Sequence, residues 1–200
     1  MTFIRRRDLL QGACVLAAMA APPLHAQAWP GRNINLVVPF PPGGTNDILA
    51  RAIGDRLAAA LGVPVVIDNR GGAAGSIGST YVARAAPDGY TLMVGHIGTL
   101  GVNPSLFPQL PYSTLASFSY VAALALVPNI LVVHPSLPVH STRELIDYAR
   151  ANPGKLNYGT AGPGSAAHIA MAAFNLAAKT HMVPVPYRGT NPSVIDLLAG

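Results

Sequence analysis

Pro39-Phe40-Pro41-Pro42-Gly43-Gly44-Thr45-Asn46-Asp47 follows the apolar run Ile34-Asn35-Leu36-Val37-Val38 and precedes Ile48-Leu49-Ala50-Arg51-Ala52-Ile53. A buried strand enters a Pro/Gly turn, and the turn opens a helix with polar residues at its start. Such a junction points unpaired backbone N–H groups and the positive end of a helix dipole at whatever lies above it. Gly43 and Gly44 carry no side chain to block a ligand from that backbone. The stretch predicts a cradle for a small anion.

The same alternation continues downstream. Asn46 to Leu61 reads as a helix stopped by Gly62 and Pro64, Val63 to Ile67 as a strand, and Ala73 to Ala86 as a helix ended by Pro87-Asp88-Gly89. Tyr90 to Val94 is a third strand. Gly95 to Ser119 is punctuated by prolines and has little periodicity. Tyr120 to Val133 is a long apolar stretch broken only by Pro128-Asn129, which suits a strand crossing between two domains. Thr142 to Ala151 forms a helix with Ser141 before it and Glu144 in its first turn. Leu156 to Gly159 and Met182 to Val185 read as strands, with helices over Gly164 to Lys179 and Pro192 to Leu198. Strands separated by helices imply βαβ units and a mainly parallel α/β sheet.

Charge and cysteine content exclude several functions. The chain of 200 residues carries a formal +5, but Arg5, Arg6 and Arg7 supply much of it. From Trp29 onward ten Lys/Arg face seven Asp/Glu, too mild and scattered for a nucleic-acid partner. Residues 1–28 have the layout of an export signal: a basic start, a short apolar run from Leu9 to Ala21, and Ala26-Gln27-Ala28 as a cleavage site. Arg6-Arg7 also resembles a twin-arginine signal, so Sec and Tat export both remain open. The apolar run is too short for a good membrane span, and no membrane insertion is expected after cleavage. Cys14, the only cysteine, lies inside this segment, and Gln11 does not suit a lipidation motif. The mature chain therefore has no disulfide, thiolate metal site or cysteine nucleophile.

Thr160-Ala161-Gly162-Pro163-Gly164-Ser165 repeats the opening logic, a second glycine-rich turn from strand to helix. Two anion cradles facing each other would suit a ligand with two carboxylates. Neither turn is a nucleotide site. The first lacks the lysine of a P-loop. The second fits Gly-x-Gly-x-x-Ala but lacks an acidic residue about twenty positions on, the next being Asp196. Ser165 and His168 are three apart and could act as nucleophile and base, although no Gly-x-Ser-x-Gly elbow is present. The alternative is that Ser165 caps the helix. His96, His134, His140 and His181 show no metal-ligand spacing, so neither a metal nor a cofactor is expected. Arg70 and Arg188 stand near the two turns, either to meet a carboxylate or to bridge Asp68 and Asp196. Asp47 either steadies the helix start or meets a ligand amine or water.

Seven segments in order carry a family resemblance. They are Trp29-Pro30 with Val37 to Gly44, Asp68-Asn69-Arg70 through Gly75-Ser76-Ile77-Gly78, and Ala85 to Leu92. Asn103-Pro104-Ser105-Leu106, Pro153 to Tyr158, Val185 to Gly189 and Asp196 to Gly200 complete the set. The chain resembles the Bug/TctC family of periplasmic solute-binding proteins, the receptors of tripartite tricarboxylate transporters. The resemblance implies a periplasmic-binding-protein-like α/β fold of the type II, Venus-flytrap kind, with two domains closing on a cleft. It implies a periplasmic, non-enzymatic and monomeric receptor that takes a small organic acid and presents it to inner-membrane transporter subunits. A ligand sensor feeding a two-component signalling system is the alternative, and a hydrolase using Ser165 a further one.

The matching ligand positions are Phe40, Pro42, Gly43, Gly44, Thr45 and Asp47 on one side and Thr160, Gly162, Gly164, Ser165 and His168 on the other. In this family, backbone amides and bridging water hold carboxylates more than arginines do. The domain portions expected are 29–125 and 126–200, the second incomplete. Family members are longer than this chain, so the C-terminal third is expected to be missing.

Overall fold

Ile34-Asn35-Leu36-Val37-Val38 is apolar at every position but Asn35 because it becomes the central strand of a parallel sheet, where both faces are covered. The computed structural model describes residues 28–200; the export signal lies outside the described residues except for its last position. Strand β1 (Ile34–Val38) pairs with β2 (Val65–Asn69) on one side and β3 (Thr91–Met93) on the other, both in parallel. Ile34 lies opposite Val65 and Val38 opposite Asn69, while Leu36 lies opposite Leu92. Ile34, Val37 and Val38 are wholly buried. Leu36, Val38, Ala50 and Val94 form the core, with Phe40, Val65, Ile67 and Leu92 against it.

Helix α1 (Thr45–Leu61) returns the chain across this sheet, with Ala50 buried on its inner face. It ends where expected: Gly62 takes a left-handed conformation and its N–H bonds the Ala58 carbonyl. The helix expected from Ala73 is shorter. Gly72, Ala73, Ala74 and Gly75 all have positive φ, and Ala73–Gly75 is a tight 3-10 turn. Helix α2 (Ser76–Ala83) therefore begins three residues late. It also ends early, because Pro87 keeps the residue before it out of the helical region.

Between β3 and the second half of the chain the structure has more order than the sequence suggests. Gly98–Val102 forms a π-turn that runs directly into the short α3 (Asn103–Leu106), with Pro104 near its start, where a missing N–H costs nothing. Tyr120 to Val133 differs in the other direction. It forms no ladder with any described strand and is exposed throughout, Leu126 at 98% and Ile130 at 79%. Apolar composition favours a strand, but without a neighbour to bond its backbone the segment is not one.

The second sheet pairs β4 (Asn157–Thr160) with β5 (Val183–Pro186), again in parallel, Thr160 opposite Pro186. Helix α4 (Thr142–Ala151) matches the expected span. Its start is a reciprocal cap: Ser141 Oγ accepts from Glu144 N at 3.2 Å, and Glu144 Oε2 accepts from His140 N at 2.7 Å. Helix α5 (Ala166–Ala178) follows β4, and α6 (Thr190–Ala199) follows β5. Arg150 donates twice to the Ala178 carbonyl, at 3.0 and 2.7 Å, tying α4 to the C-terminal end of α5, where a cation is favoured.

Candidate functional site

Every strand-to-helix turn of a parallel sheet lies at the C-terminal ends of its strands, which is where open α/β sheets bind ligands. The β1–α1 turn is organised by Asp47, which is 3% exposed. Its Oδ2 accepts from Gly43 N at 2.9 Å and from Arg51 Nε at 3.0 Å. Its Oδ1 accepts from Arg51 Nη2 at 3.1 Å and Asn69 Nδ2 at 3.0 Å. Asn69 Nδ2 also reaches the Phe40 carbonyl at 3.2 Å, binding the turn to the end of β2. The Arg51 guanidinium, helped by Gly43 N–H and Asn69, outweighs burial and holds the Asp47 carboxyl at about 2, below the ordinary 3.8. Asp47 shapes the loop; both its oxygens already have protein partners. No side chain caps α1, so the backbone around Gly44 and Thr45 stays available. Pro42 and Thr45 are exposed on the rim and Phe40 is half-buried.

The β4–α5 turn needs glycine at two points, since Gly162 and Gly164 have φ of 103° and 75°. Thr160, 1% exposed, accepts from Gly162 N through Oγ1 at 3.2 Å, and its carbonyl accepts from Tyr187 N at 2.9 Å. Ser165 is the cap of α5: its Oγ accepts from His168 N at 3.3 Å. His168 Nδ1 accepts from Gly164 N at 3.3 Å, so the imidazole is turned onto the backbone. A nucleophile and base would need the serine hydroxyl on that ring nitrogen. The geometry is that of a braced turn.

A third group of residues, absent from the expected site, joins these two turns. His96 follows β3 and packs edge-on against Phe40, ring centroids 5.1 Å apart. Its Nδ1 accepts from Gly98 N at 2.9 Å, and burial pushes its pKa below the usual 6.5. Gly98 lies against the second turn, so close that a β-carbon there would stand 2.5 Å from the Gly164 carbonyl. Across the other side, Asn191 Nδ2 of α6 donates to the Gly43 carbonyl at 2.9 Å, joining residues 148 apart in sequence. Phe40 and Gly43 are thus linked to Gly164 and to α6 by short contacts.

The β5–α6 turn is a third strand-to-helix junction with a glycine before the helix. Gly189 precedes α6 at φ 116°, with no side-chain cap and nothing near its Cα. Its signal was present in Val185-Pro186-Tyr187-Arg188-Gly189, a strand running into a glycine. Arg188 is exposed, and Asp196 accepts from Tyr187 Oη at 2.7 Å. Arg70 bridges Asp68 at 2.6 Å and stacks on Tyr81 at 3.7 Å. Among the described residues no group of three His, Cys, Asp or Glu could hold a metal, and no helix is long and apolar enough to cross a membrane. A shallow open depression over Asn33, Ile34, Asn35, Val66, Ile67 and Asp68 runs along the β1–β2 pair, away from the turns. The site offers neutral donors and an aromatic wall, which suits holding an anion.

Comparison with known proteins agrees with this architecture. Residues 49–200 match the family model of the tripartite tricarboxylate transporter family receptor, TctC. A protein from the tcbD–tcbE intergenic region of Pseudomonas sp. strain P51 is 40% identical over 200 residues, covering 98% of this chain and 59% of that protein. BugT of Bordetella pertussis is 39% identical over 190 residues, covering 94% of this chain and 58% of that one. The chain thus spans less than two thirds of the relatives it matches. Among solved structures, an R. palustris protein with adipate superposes at TM-score 0.81 and 42% identity, over 84% of this chain and 56% of that one. MatC from Rhodopseudomonas palustris, with bound malate, does so at 0.78 and 38%, over 84% and 57%. The fold is the α/β periplasmic-binding-protein fold of these relatives.

Proposed function

We propose, from the premise that this chain belongs to the TctC family of tripartite tricarboxylate transporter receptors, that it is the ligand-capturing part of a periplasmic receptor for a small organic carboxylate. The family is one of transporter receptors and not of enzymes. The observation that carries the reading is the convergence of two glycine-rich strand-to-helix turns, with Asn191 Nδ2 on the Gly43 carbonyl at 2.9 Å on one side and Gly98 against Gly164 on the other. Carboxylate oxygens accept from the uncapped backbone N–H groups of Gly44 and Thr45 at the start of α1, and the dipoles of α1 and α5 add attraction for negative charge. Phe40, Pro42, Gly43, Gly44 and Thr45 meet the ligand from the first turn. Thr160, Gly162, Gly164, Ser165 and His168 meet it from the second. Asp47 acts through the loop it shapes, positioning Gly43.

Residues 29–125 and 126–200 act as two lobes, and ligand favours the closed arrangement that membrane-embedded transporter subunits recognise. Two relatives solved with adipate and with malate support a dicarboxylate as the ligand class. The test is a thermal melt of the full chain with mono-, di- and tricarboxylates. A ligand at a hundred times its Kd adds about 2.7 kcal/mol of stability, a shift of several degrees. A melt that no acid raises overturns the reading.

A further inference from the structure

We propose that Asn103 sets ligand specificity: its side-chain oxygen accepts a hydrogen bond from a hydroxyl or amino group on the bound acid. This rests on the carboxylate-receptor reading above and narrows it to hydroxy- and amino-carboxylates. Asn103 is 0% exposed, yet its Oδ1 has no hydrogen-bond partner in the protein. Buried amide oxygens without a donor are rare and costly, so each one calls for a cause.

The orientation of the amide is determined by its other end. Nδ2 donates to the Ala74 carbonyl at 3.0 Å, and that oxygen can only accept. Ser76 Oγ at 3.3 Å and Tyr112 Oη at 3.4 Å share the same nitrogen. Tyr112 Oη in turn donates to the Thr99 carbonyl at 2.6 Å, within the π-turn that leads into Asn103. The side chain is therefore clamped, with Oδ1 held in one direction. That direction is the second ligand turn: a β-carbon on Gly164 would lie 3.3 Å from Oδ1. The glycine keeps the space beside the oxygen clear, and any other residue would fill it.

The chemistry at this point is the opposite of the cradles. The turns present N–H donors to carboxylate oxygens, whereas Oδ1 is an acceptor and repels a carboxylate. A plain diacid ionised at both ends has nothing to give it. An acid with a hydroxyl or ammonium group beside its carboxylate does, and a site built to meet such a donor discriminates strongly against the analogue lacking it.

The experiment is calorimetric titration of the full chain with matched acids: succinate against malate and against aspartate, which differ from it by one hydroxyl or one ammonium group. At least about tenfold tighter binding of malate or aspartate is expected. In Asn103→Leu, checked for a cooperative melt, the preference for malate and aspartate over succinate falls to near unity. Equal binding of the three acids to the unaltered chain overturns the proposal and leaves the receptor reading standing; it means water satisfies Oδ1. A folded Asn103→Leu variant that keeps the preference also overturns it. Should Asn103→Leu fail to fold, the matched titrations of the unaltered chain decide. Binding of none of the three acids overturns the proposal, and the melt with the wider panel of mono-, di- and tricarboxylates decides the receptor reading separately.

Discussion

At Asp47 four donors meet two oxygens, and one of them, Gly43 N–H, belongs to the β1–α1 turn itself. Asp47→Ala leaves Gly43 N–H without its acceptor and Asn69 with the Phe40 carbonyl alone, and is expected to destabilise the protein by about 2–3 kcal/mol, measured by chemical denaturation. The sign of the pH dependence follows from its pKa, lowered to about 2. The contribution is present above the ordinary 3.8 and is lost as pH falls from there toward 2, amounting to about 2 kcal/mol in full. A melt series between pH 5 and 2 is expected to fall more steeply for the unaltered chain than for Asp47→Asn. His96 acts at higher pH: with its pKa lowered by burial, the unfolded chain binds the proton more readily, so its contribution fades as pH drops below about 6.5. That Asp47 belongs to a turn was legible from its neighbours. Of its three partner residues, Gly43 and Arg51 lie four positions away on either side, but Asn69 was not legible, because it arrives from another strand.

Among the elements, the seam between the π-turn and the β4–α5 turn is closed by backbone. Gly98→Ala places a β-carbon 2.5 Å from the Gly164 carbonyl and 3.0 Å from His96 Nδ1. Backbone on one side and a packed ring on the other leave nothing flexible to yield. The expected cost is about 1–3 kcal/mol in denaturant melts, with weaker ligand binding beyond the loss of stability. The cap of α4 is a local feature by contrast. Ser141→Ala is expected to cost about 1 kcal/mol and to leave ligand affinity unchanged. The sequence shows why α4 matches its expected span: cap, acidic first turn and apolar face lie within one short segment. The stretch from Ala73 was less legible, since two alanines adopt positive φ against their own preference. Contacts from Asn103 on Ala74 decide that, and they come from a turn almost thirty residues away.

For the whole molecule, the bond from Asn191 Nδ2 to the Gly43 carbonyl ties together residues 148 apart in sequence. Asn191→Ala is expected to lower ligand-free stability by the worth of one ordinary hydrogen bond, about 1 kcal/mol in denaturant melts, and to weaken ligand binding. Tyr120 to Val133 predicts surface behaviour. Val121, Leu126 and Ile130 are 86, 98 and 79% exposed, an apolar strip that favours self-association. Leu126→Lys is expected to reduce association in sedimentation while moving stability by less than about 0.5 kcal/mol. The sequence by itself determined the α/β alternation, the parallel first sheet, both glycine-rich strand-to-helix turns and the family. These depend on hydrophobic period, on glycine where φ turns positive, and on short-range caps, all written in consecutive residues. Tertiary structure alone decided that Gly43 meets Asn191, that His96 and Gly98 join the two turns, and that Asn103 turns an unpaired oxygen toward Gly164. Such contacts depend on how separate elements pack, and no local pattern along the chain records which distant atoms will come within hydrogen-bond reach.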